Sequence, residues 1–298
     1  MSLISPEIHF NSMLLVREME RRNITVAHIK GTKKIVATYK GHEEIVDDTD
    51  LSVMPSSLRQ LLDNKKDTKA LLKKLKIPTP AGKAFRWKDI EKAKKYAQNM
   101  FPVVLKPIHG SQGLGVRINI DTPEEFEFEF YKLVETFGEE AEFLVEEQIF
   151  GAEFRLTITR NGFMAAAHRA CPKVQGDGSS SIMELIDVEN KRRMNPRSNC
   201  LCEIWMEDKE VERYLAKKGL TIEYIPKKDE VVYVRGNSNV STGAECIDVT
   251  DMVHPYYHLQ ALQILQKIPG LPYCGTLHRG SRFTRIQAAE SHGISLRL

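Results

Sequence analysis

The chain has 298 residues, a formal net charge of +3, 42% hydrophobic residues and 28% charged residues. These values are typical of a globular protein long enough for two lobes, and the small net charge gives no reason to expect a polyanionic partner. The segment MSLISPEIHF resembles no secretory signal, and no stretch approaches the roughly 18 apolar residues of a membrane span. Together with five irregularly spaced cysteines, which are typical of reducing compartments, this predicts a cytoplasmic protein without a membrane partner.

The first half of the chain alternates helical and strand-like patterns. After a helix over residues 12–22, three short segments alternate in the manner of strands: ITVAHI, KKIVATY and EEIVDD. Two helical patterns follow, KKDTKALLKKLK and WKDIEKAKKYAQNM. The segments PVVLKPI and GVRINI then predict a hairpin, a helix capped by Thr122 comes next, and EFLVEEQI predicts a strand. This order predicts a compact α+β lobe over about residues 65–145.

Beyond residue 150 the pattern becomes richer in strands. The segments EFRLTITR, GFMAAAHRA, TIEYIP and EVVYVRG are predicted as strands. Helices are predicted over residues 181–191, 208–218 and 254–267. We therefore expect two lobes that join near residues 146–151.

The loop in VVLKPIHGSQGLGV is a candidate phosphate site, because its glycines follow a strand that carries Lys106. It does not match the P-loop, and the order G-x-x-G-x-G followed by a strand excludes the dinucleotide fingerprint. Glycines in a hairpin loop let backbone N–H groups approach phosphate oxygens, while the lysine adds a positive charge. From this loop alone, an ordinary glycine-rich hairpin with a surface lysine is an equally good interpretation.

Four further segments carry a resemblance that extends over about residues 55–275. They are LLDNKKDTKALLKKLKIPTPAGKAF, FLVEEQIFGAEFRLTI, VQGDGSSSIMELIDVENKRR and GNSNVSTGAECIDVTD. In this order they resemble the ATP-grasp superfamily, and within it the ligase domain shared by cyanophycin synthetase and the bifunctional glutathione synthetase. The resemblance implies an α+β ATP-grasp fold: an α/β segment over 1–62, a small lobe over 63–148, and a large lobe over 149–298 that is either truncated or altered after residue 275.

The resemblance also implies an ATP site between the lobes. Two lysines would contact the phosphates, the glycine-rich loop would close over them as a lid, a hinge would bind the adenine edge, and one carboxylate would accept the ribose hydroxyls. The matching lysines are Lys65 and Lys106, and the loop residues are Gly110, Ser111, Gly113 and Gly115. The hinge residues are Glu146, Glu147 and Ile149, and the ribose-binding carboxylate is Glu153.

The implied reaction is ATP-dependent amide formation through an acylphosphate, on an amino acid or short peptide. Arg155 and Arg169 match catalytic cations, although surface salt bridges are the alternative interpretation. The predicted substrate-binding residues are Lys173, Asn237, Asn239, Ser241 and Thr242. Ordinary turn chemistry explains the last four almost as well. Because related ligases commonly dimerise or tetramerise, the resemblance is also compatible with a homo-oligomer.

The chain departs from the family pattern near its Mg²⁺ ligands. Thr276 and Leu277 stand where an apolar residue and an aspartate are expected, and no Glu-x-Asn pair follows. Mg²⁺ needs oxygen donors, and the sequence offers none at the family positions, so the metal ligands stay unknown. The alternative function is therefore a pseudo-ligase that binds nucleotide without turnover.

The lysine-rich segment NKKDTKALLKKLK is interpreted as a solvated helix face, because no stacking aromatic residues interleave with its lysines. We therefore expect no nucleic-acid partner.

Overall fold

The computed structural model describes residues 10–48, 50–110, 113–195, 202–207, 209–280 and 295–297. Helices and antiparallel sheets alternate within these ranges, which confirms the predicted α+β class. No helix in them is long and apolar enough to span a bilayer. The α-helices of the described residues are α1 (Phe10–Arg21), α2 (Ser56–Asp63), α3 (Lys65–Lys74), α4 (Ile90–Ala97), α5 (Pro123–Phe137), α6 (Ile182–Arg193), α7 (Glu210–Ala216) and α8 (Pro255–Lys267).

The strands of the described residues form four sheets. They are β1 (Thr25–His28), β2 (Lys34–Tyr39), β3 (His42–Asp47), β4 (Asp50–Leu51), β5 (Gly82–Phe85), β6 (Val103–Pro107), β7 (Arg117–Ile120), β8 (Phe143–Glu147), β9 (Ala152–Thr159), β10 (Met164–Ala170), β11 (Lys173–Gln175), β12 (Val231–Tyr233), β13 (Glu245–Asp248), β14 (Tyr273–Gly280) and β15 (Ser295–Arg297). The first sheet is the meander β1-β2-β3-β4, which packs against α1 around Val16, Ile35 and Val46.

The second sheet has the strand order β5-β8-β6-β7 and carries the predicted phosphate loop between β6 and β7. One face packs against α4 and α5 through a core that includes Phe126, Phe130 and Phe143. Because side chains alternate along a strand, the residues between these core positions face the other way. Lys106 on β6 and Glu146 on β8 belong to that outward set, which brings them onto one face of the sheet.

The third sheet has the order β13-β10-β9-β14-β15. Its apolar face carries Leu156 and Ile158 of β9 and packs against α8, and Leu72 of α3 belongs to the same core. The opposite face carries alternate residues of β9, beginning with Glu153 and Arg155. Helix α3 therefore lies against the third sheet, although the N–H of its first residue donates to Ile108 O, just after β6 of the second sheet. The helix thus contacts both sheets, and the lobe boundaries at 62/63 and 148/149 stay a prediction.

Residues between β10 and β13 form a unit with a core of its own, built from α6, α7, β11 and β12. The predicted strand TIEYIP is wrong, because this segment has no regular structure. Its carbonyl groups instead accept the first N–H groups of α6: Tyr224 O accepts from Ile182 N at 2.9 Å, and Ile222 O accepts from Met183 N at 3.0 Å. The first N–H groups of a helix have no acceptor within the helix, so here they use carbonyl groups that a neighbouring strand would otherwise need.

Candidate functional site

A buried cluster of opposite charges lies on the outward face of the second sheet. Glu146 is 7% exposed, and its carboxylate pairs with the ammonium groups of Lys106 and of Lys69, the latter at 2.7 Å. Burial raises the pKa of Glu146, but the two lysines outweigh burial and hold this pKa below its ordinary value. Gly82 on β5 leaves room for the cluster, since a Cβ there would lie 2.5 Å from Glu146 Cγ.

The predicted phosphate-binding Lys65 lies at the entrance to the glycine-rich loop. Asn64 caps α3 by accepting from Lys66 N at 3.0 Å, so the helix begins at Lys65. The Lys65 backbone donates to Ile108 O at 2.9 Å, and its Nζ donates to Gly110 O at 2.7 Å. Lys65 therefore contacts Gly110, the first glycine of the loop, and its contact with the phosphates stays a prediction.

The far side of the loop packs against the predicted substrate segment. Gly113 has φ +77° and Gly115 has φ +69°, a left-handed backbone that glycine adopts without strain. A Cβ added to Gly113 would overlap the side-chain amide of Asn239. Glycine is thus required at 113 by both conformation and space, because the loop backbone lies directly on Asn239. Ser111 falls outside the described residues.

Glu153, the predicted ribose-binding carboxylate, lies between two arginines on neighbouring strands. The strand register sets Arg169 of β10 and Arg279 of β14 on either side of it. Arg169 Nη1 lies 3.2 Å from Glu153 Oε1, while Arg279 Nε and Nη2 donate to Oε2 at 3.0 and 2.7 Å. Arg279 Nη1 also donates to Ile149 O at 3.3 Å, which connects the predicted hinge with Glu153.

The second predicted catalytic arginine, Arg155, lies one step along β9 on the same face as Glu153. Its guanidinium crosses Gly275 of β14, where a Cβ would lie 2.6 Å from Arg155 Nη2. Leu277 stands opposite Arg155 in the strand register. The position at which the resemblance implies an aspartate therefore carries an apolar side chain beside a guanidinium.

The predicted substrate-binding residues between 237 and 242 form a tight turn that joins the arginine network. Arg169 Nη2 donates to Asn239 Oδ1 at 3.0 Å. Thr242 Oγ1 donates to Asn237 Oδ1 at 3.3 Å, and Ser241 lies between them in the short 3₁₀ turn Val240–Thr242. A cavity behind the loop is lined by four predicted residues: Gly113, Gly115, Asn237 and Thr242. The structure therefore brings together the loop, Asn239, Arg169 and Glu153.

Two other predicted residues have different surroundings. Glu147 Oε1 accepts from Ala81 N at 2.6 Å, so its carboxylate fastens the start of β5. Lys173 is exposed on β11. The carboxylate of Asp177 in the neighbouring turn accepts from Ser180 Oγ at 2.7 Å, from Ser180 N at 2.7 Å and from Ser179 N at 2.8 Å. These bonds, the one from the Ser180 hydroxyl most of all, lower the Asp177 pKa well below its ordinary value. Local hydrogen bonding accounts for the carboxylates of Glu147 and Asp177.

The donors of this face do not fit Mg²⁺. Within the described ranges no three His, Cys, Asp or Glu residues are grouped so that they could hold a metal ion. Glu153, the carboxylate of the network, is already paired with two guanidinium groups. A hard divalent cation needs several oxygen donors at one point, and the residues around Glu153 present nitrogen cations instead.

Two residues of the site were not predicted. Lys69 lies four residues after Lys65 on α3, and this i,i+4 spacing was a readable signal for a second lysine on the same helix face. Arg279 lies after residue 275, where the sequence departs from the family pattern. Alternation along β14 could have found it, because Gly275, Leu277 and Arg279 share the face that meets β9 residues 157, 155 and 153.

Known proteins resemble most of this chain. Residues 64–153 match the family described as carbamoyl-phosphate synthase L chain, ATP binding domain. The chain is 32% identical over 268 residues to cyanophycin synthetase from Crocosphaera subtropica, which covers 89% of this chain and 30% of that protein. It is 34% identical over 241 residues to the glutathione biosynthesis bifunctional protein of Clostridium perfringens, which covers 78% of this chain and 30% of that protein.

A solved structure supports the same relationship over nearly the whole chain. The crystal structure of a bifunctional glutathione synthetase from Pasteurella multocida superposes with a TM-score of 0.61 at 25% sequence identity. This match covers 98% of the present chain and 40% of the larger one. The chain thus spans about 30% of the length of the two curated relatives. The family match includes the loop, Glu146 and Glu153.

Proposed function

We propose that this chain, which belongs to the ATP-grasp superfamily, is an ATP-dependent carboxylate–amine ligase. The ATP-grasp fold predicted from the sequence is confirmed by the similarity to the bifunctional glutathione synthetase. Because the chain covers only part of its relatives, the activity is inferred from the site. The proposed product is an amide bond between an amino acid or short peptide and an amine, and the proposed setting is the cytoplasm.

One observation carries this proposal: a chain of polar contacts runs from Ile149 at the predicted hinge to Asn239, on which the loop packs. Ile149 O accepts from Arg279, which pairs with Glu153; Glu153 pairs with Arg169, and Arg169 donates to Asn239. Gly113 of the loop lies on Asn239. A nucleotide held by the loop and the hinge would therefore lie along one polar face, with cations beside the group being transferred.

The proposed reaction has two steps. In the first, an oxygen of the substrate carboxylate attacks the γ-phosphorus of ATP, the bond to the β-phosphate oxygen breaks, and ADP leaves with that electron pair. In the second, an amine nitrogen attacks the acyl carbon, phosphate leaves, and the nitrogen loses a proton. We assign Lys65 and Lys106 to the phosphates, and Arg155 and Arg169 to the charge that develops on the transferred group.

A binding and turnover experiment tests the proposal. The full chain is titrated with ATP by calorimetry, and ADP release is then measured with amino acids and dipeptides as carboxylate and amine. Lys65→Met removes a cation at the loop without disturbing the buried Glu146 cluster, and we expect the ATP Kd to rise about tenfold. Lys132→Met is the matched control, since Lys132 pairs with Glu135 on the exposed side of α5 and should leave the Kd unchanged.

The alternative function is nucleotide binding without turnover. Leu277 favours it, because the position implied for an acidic residue carries an apolar one. ATP binding with no ADP release from any carboxylate and amine pair would support this pseudo-ligase and reject the ligase. No ATP binding at all would reject both functions.

A further inference from the structure

Arg279 occupies acceptors that a nucleotide would otherwise use. Its register position on β14 is opposite Glu153, and three of its N–H groups reach two places: Glu153 Oε2 and Ile149 O. Under the proposed function, Glu153 accepts the ribose hydroxyls and the backbone at Ile149 belongs to the adenine hinge. The side chain of Arg279 therefore lies where the adenosine half of ATP would bind.

The acceptor capacity of Glu153 is largely used by the protein itself. A carboxylate offers about four acceptor positions. Two N–H groups of Arg279 donate to Oε2, and Arg169 Nη1 lies 3.2 Å from Oε1. Glu153 is 9% exposed, so these ion pairs are screened little by water. The guanidinium of Arg279 places two donors and a positive charge on the carboxylate, whereas a ribose hydroxyl offers one neutral donor, so the hydroxyl competes poorly for Glu153.

We propose that Arg279 removes ribose discrimination from the nucleotide site. This inference depends on the proposed function, because it assumes that Glu153 faces the ribose. ATP is then held mainly through its phosphates, and its 2′-hydroxyl adds little to affinity. The chain accepts 2′-deoxyribonucleoside triphosphates as readily as ribonucleoside triphosphates, and Arg279 is the residue that sets this specificity.

A purely structural role for Arg279 makes a different prediction. An ion pair that only joins β14 to β9 would change the free energy of unfolding when removed, and would change affinity for both nucleotides equally. Competition for Glu153 instead changes the ratio of the two affinities. The readout is therefore the Kd for 2′-deoxy-ATP divided by the Kd for ATP.

The experiment measures this ratio by calorimetry on the full chain and on three variants. Arg279→Leu removes every donor, Arg279→Lys keeps the charge but loses the two-donor fork, and Arg86→Gln removes an arginine that pairs at the surface with Glu140. We expect a ratio near one for the unmodified chain and for Arg86→Gln. We expect about tenfold preference for ATP in Arg279→Leu, and an intermediate value in Arg279→Lys.

The outcomes separate this inference from the proposed function. A ratio of five or more in the unmodified chain, or a ratio unmoved by folded Arg279→Leu, overturns the inference and leaves ATP binding intact. Failure of the unmodified chain to bind either nucleotide overturns both. If Arg279→Leu does not fold, the unmodified chain and Arg279→Lys still decide, since competition requires the lysine variant to favour ATP.

Discussion

At the scale of single residues, the partners of several buried polar side chains decide what each side chain does. Glu146 is buried between two ammonium groups, and Glu153 between two guanidinium groups. His278 is 4% exposed on the apolar side of β14, where its Nε2 lies 2.8 Å from Thr276 Oγ1 and its ring meets Tyr257 edge-on. A neutral imidazole satisfies that environment, whereas a charged one would not.

Stability should depend on pH through His278. Burial lowers the pKa of His278 to about 4, from an ordinary value near 6.5. Between these values the unfolded chain binds a proton that the folded chain does not, so stability rises with pH across this window. The contribution is fully present above pH 6.5 and is lost as the pH falls towards 4, by on the order of 3 kcal/mol.

The measurement is urea unfolding at a series of pH values for the unmodified chain and for His278→Gln, which keeps a polar group beside Thr276. The difference between the two profiles isolates His278 from the carboxylates. His42→Gln changes an exposed histidine and should give the profile of the unmodified chain. Parallel profiles for the unmodified chain and His278→Gln would contradict the assignment.

At the scale of elements, the glycine-rich loop is defined by what holds its two ends. Lys65 binds the carbonyl of Gly110 at the start, and Gly113 lies against Asn239 at the other side. Neither contact involves the apolar core. These two contacts hold the described ends of the loop, and its role as a lid over a nucleotide stays a prediction.

Gly113→Ala should weaken nucleotide binding with little loss of stability. A Cβ at 113 would overlap Asn239, and the left-handed backbone would also be strained, so the loop would be displaced from the arginine network. We expect the ATP Kd to rise at least about tenfold, measured by calorimetry. Gly41→Ala is the matched control, because Gly41 also has positive φ but a Cβ there meets nothing within 4 Å.

The two glycines thus separate backbone strain from contact. An equal rise in Kd for both variants would show that the strain acts on the whole fold. A Gly113→Ala variant with unchanged ATP affinity would show that the loop does not pack on Asn239 when nucleotide is bound.

The sequence predicted elements well where apolar residues alternate or recur. Strand β6 and helix α5 were located within one residue at each end, because Val103, Leu105, Phe126 and Phe130 follow the periods of a strand and a helix. Strand β14 was obscured, since its buried face carries Thr276 and His278, which a hydrophobic pattern treats as surface residues. The apparent strand TIEYIP was wrong because the start of α6 needs its carbonyls.

The sequence predicts the residues of the candidate site that belong to a motif, but it does not predict the contacts that depend on how strands pair. Lys106 and Glu153 could be selected by motif, but sequence order cannot say that Glu146 neutralises Lys106 or that Arg279 reaches Glu153. Those contacts depend on strand register and on the order of strands in a sheet, which are properties of the fold. The roles of these residues toward ATP stay predictions.

At the scale of the whole molecule, charged side chains connect the unit around α7 with the second sheet. Arg213 donates to Ile118 O at 3.0 Å and pairs with Glu125 and Glu210 at 3.3 and 2.9 Å. Lys217 pairs with Glu125 at 2.6 Å. Because the cavity behind the loop is lined by residues of both parts, these ion pairs help to keep its walls together.

Arg213→Met should lower the free energy of unfolding by more than the loss of a surface ion pair would. The substitution removes the guanidinium that pairs with the almost fully buried Glu210 at 2.9 Å, and breaking a buried pair costs on the order of 3 kcal/mol. Arg192→Met is the matched control: Arg192 pairs with Glu189 on the surface of α6, and we expect a loss of about 0.5 kcal/mol. Urea unfolding measures both, and similar losses would reject a structural role for Arg213.

Helix α3 performs two tasks within ten residues. Its Leu72 is packed in the core of the third sheet, while Lys65 and Lys69 reach the loop and Glu146. A substitution that loosens Leu72 would therefore tilt both lysines away from their partners. Loss of nucleotide affinity in such a variant would be no sign of contact with the nucleotide. Any mutational map of this helix must be interpreted with a fold reporter beside the binding assay, or core positions will be mistaken for ligand positions.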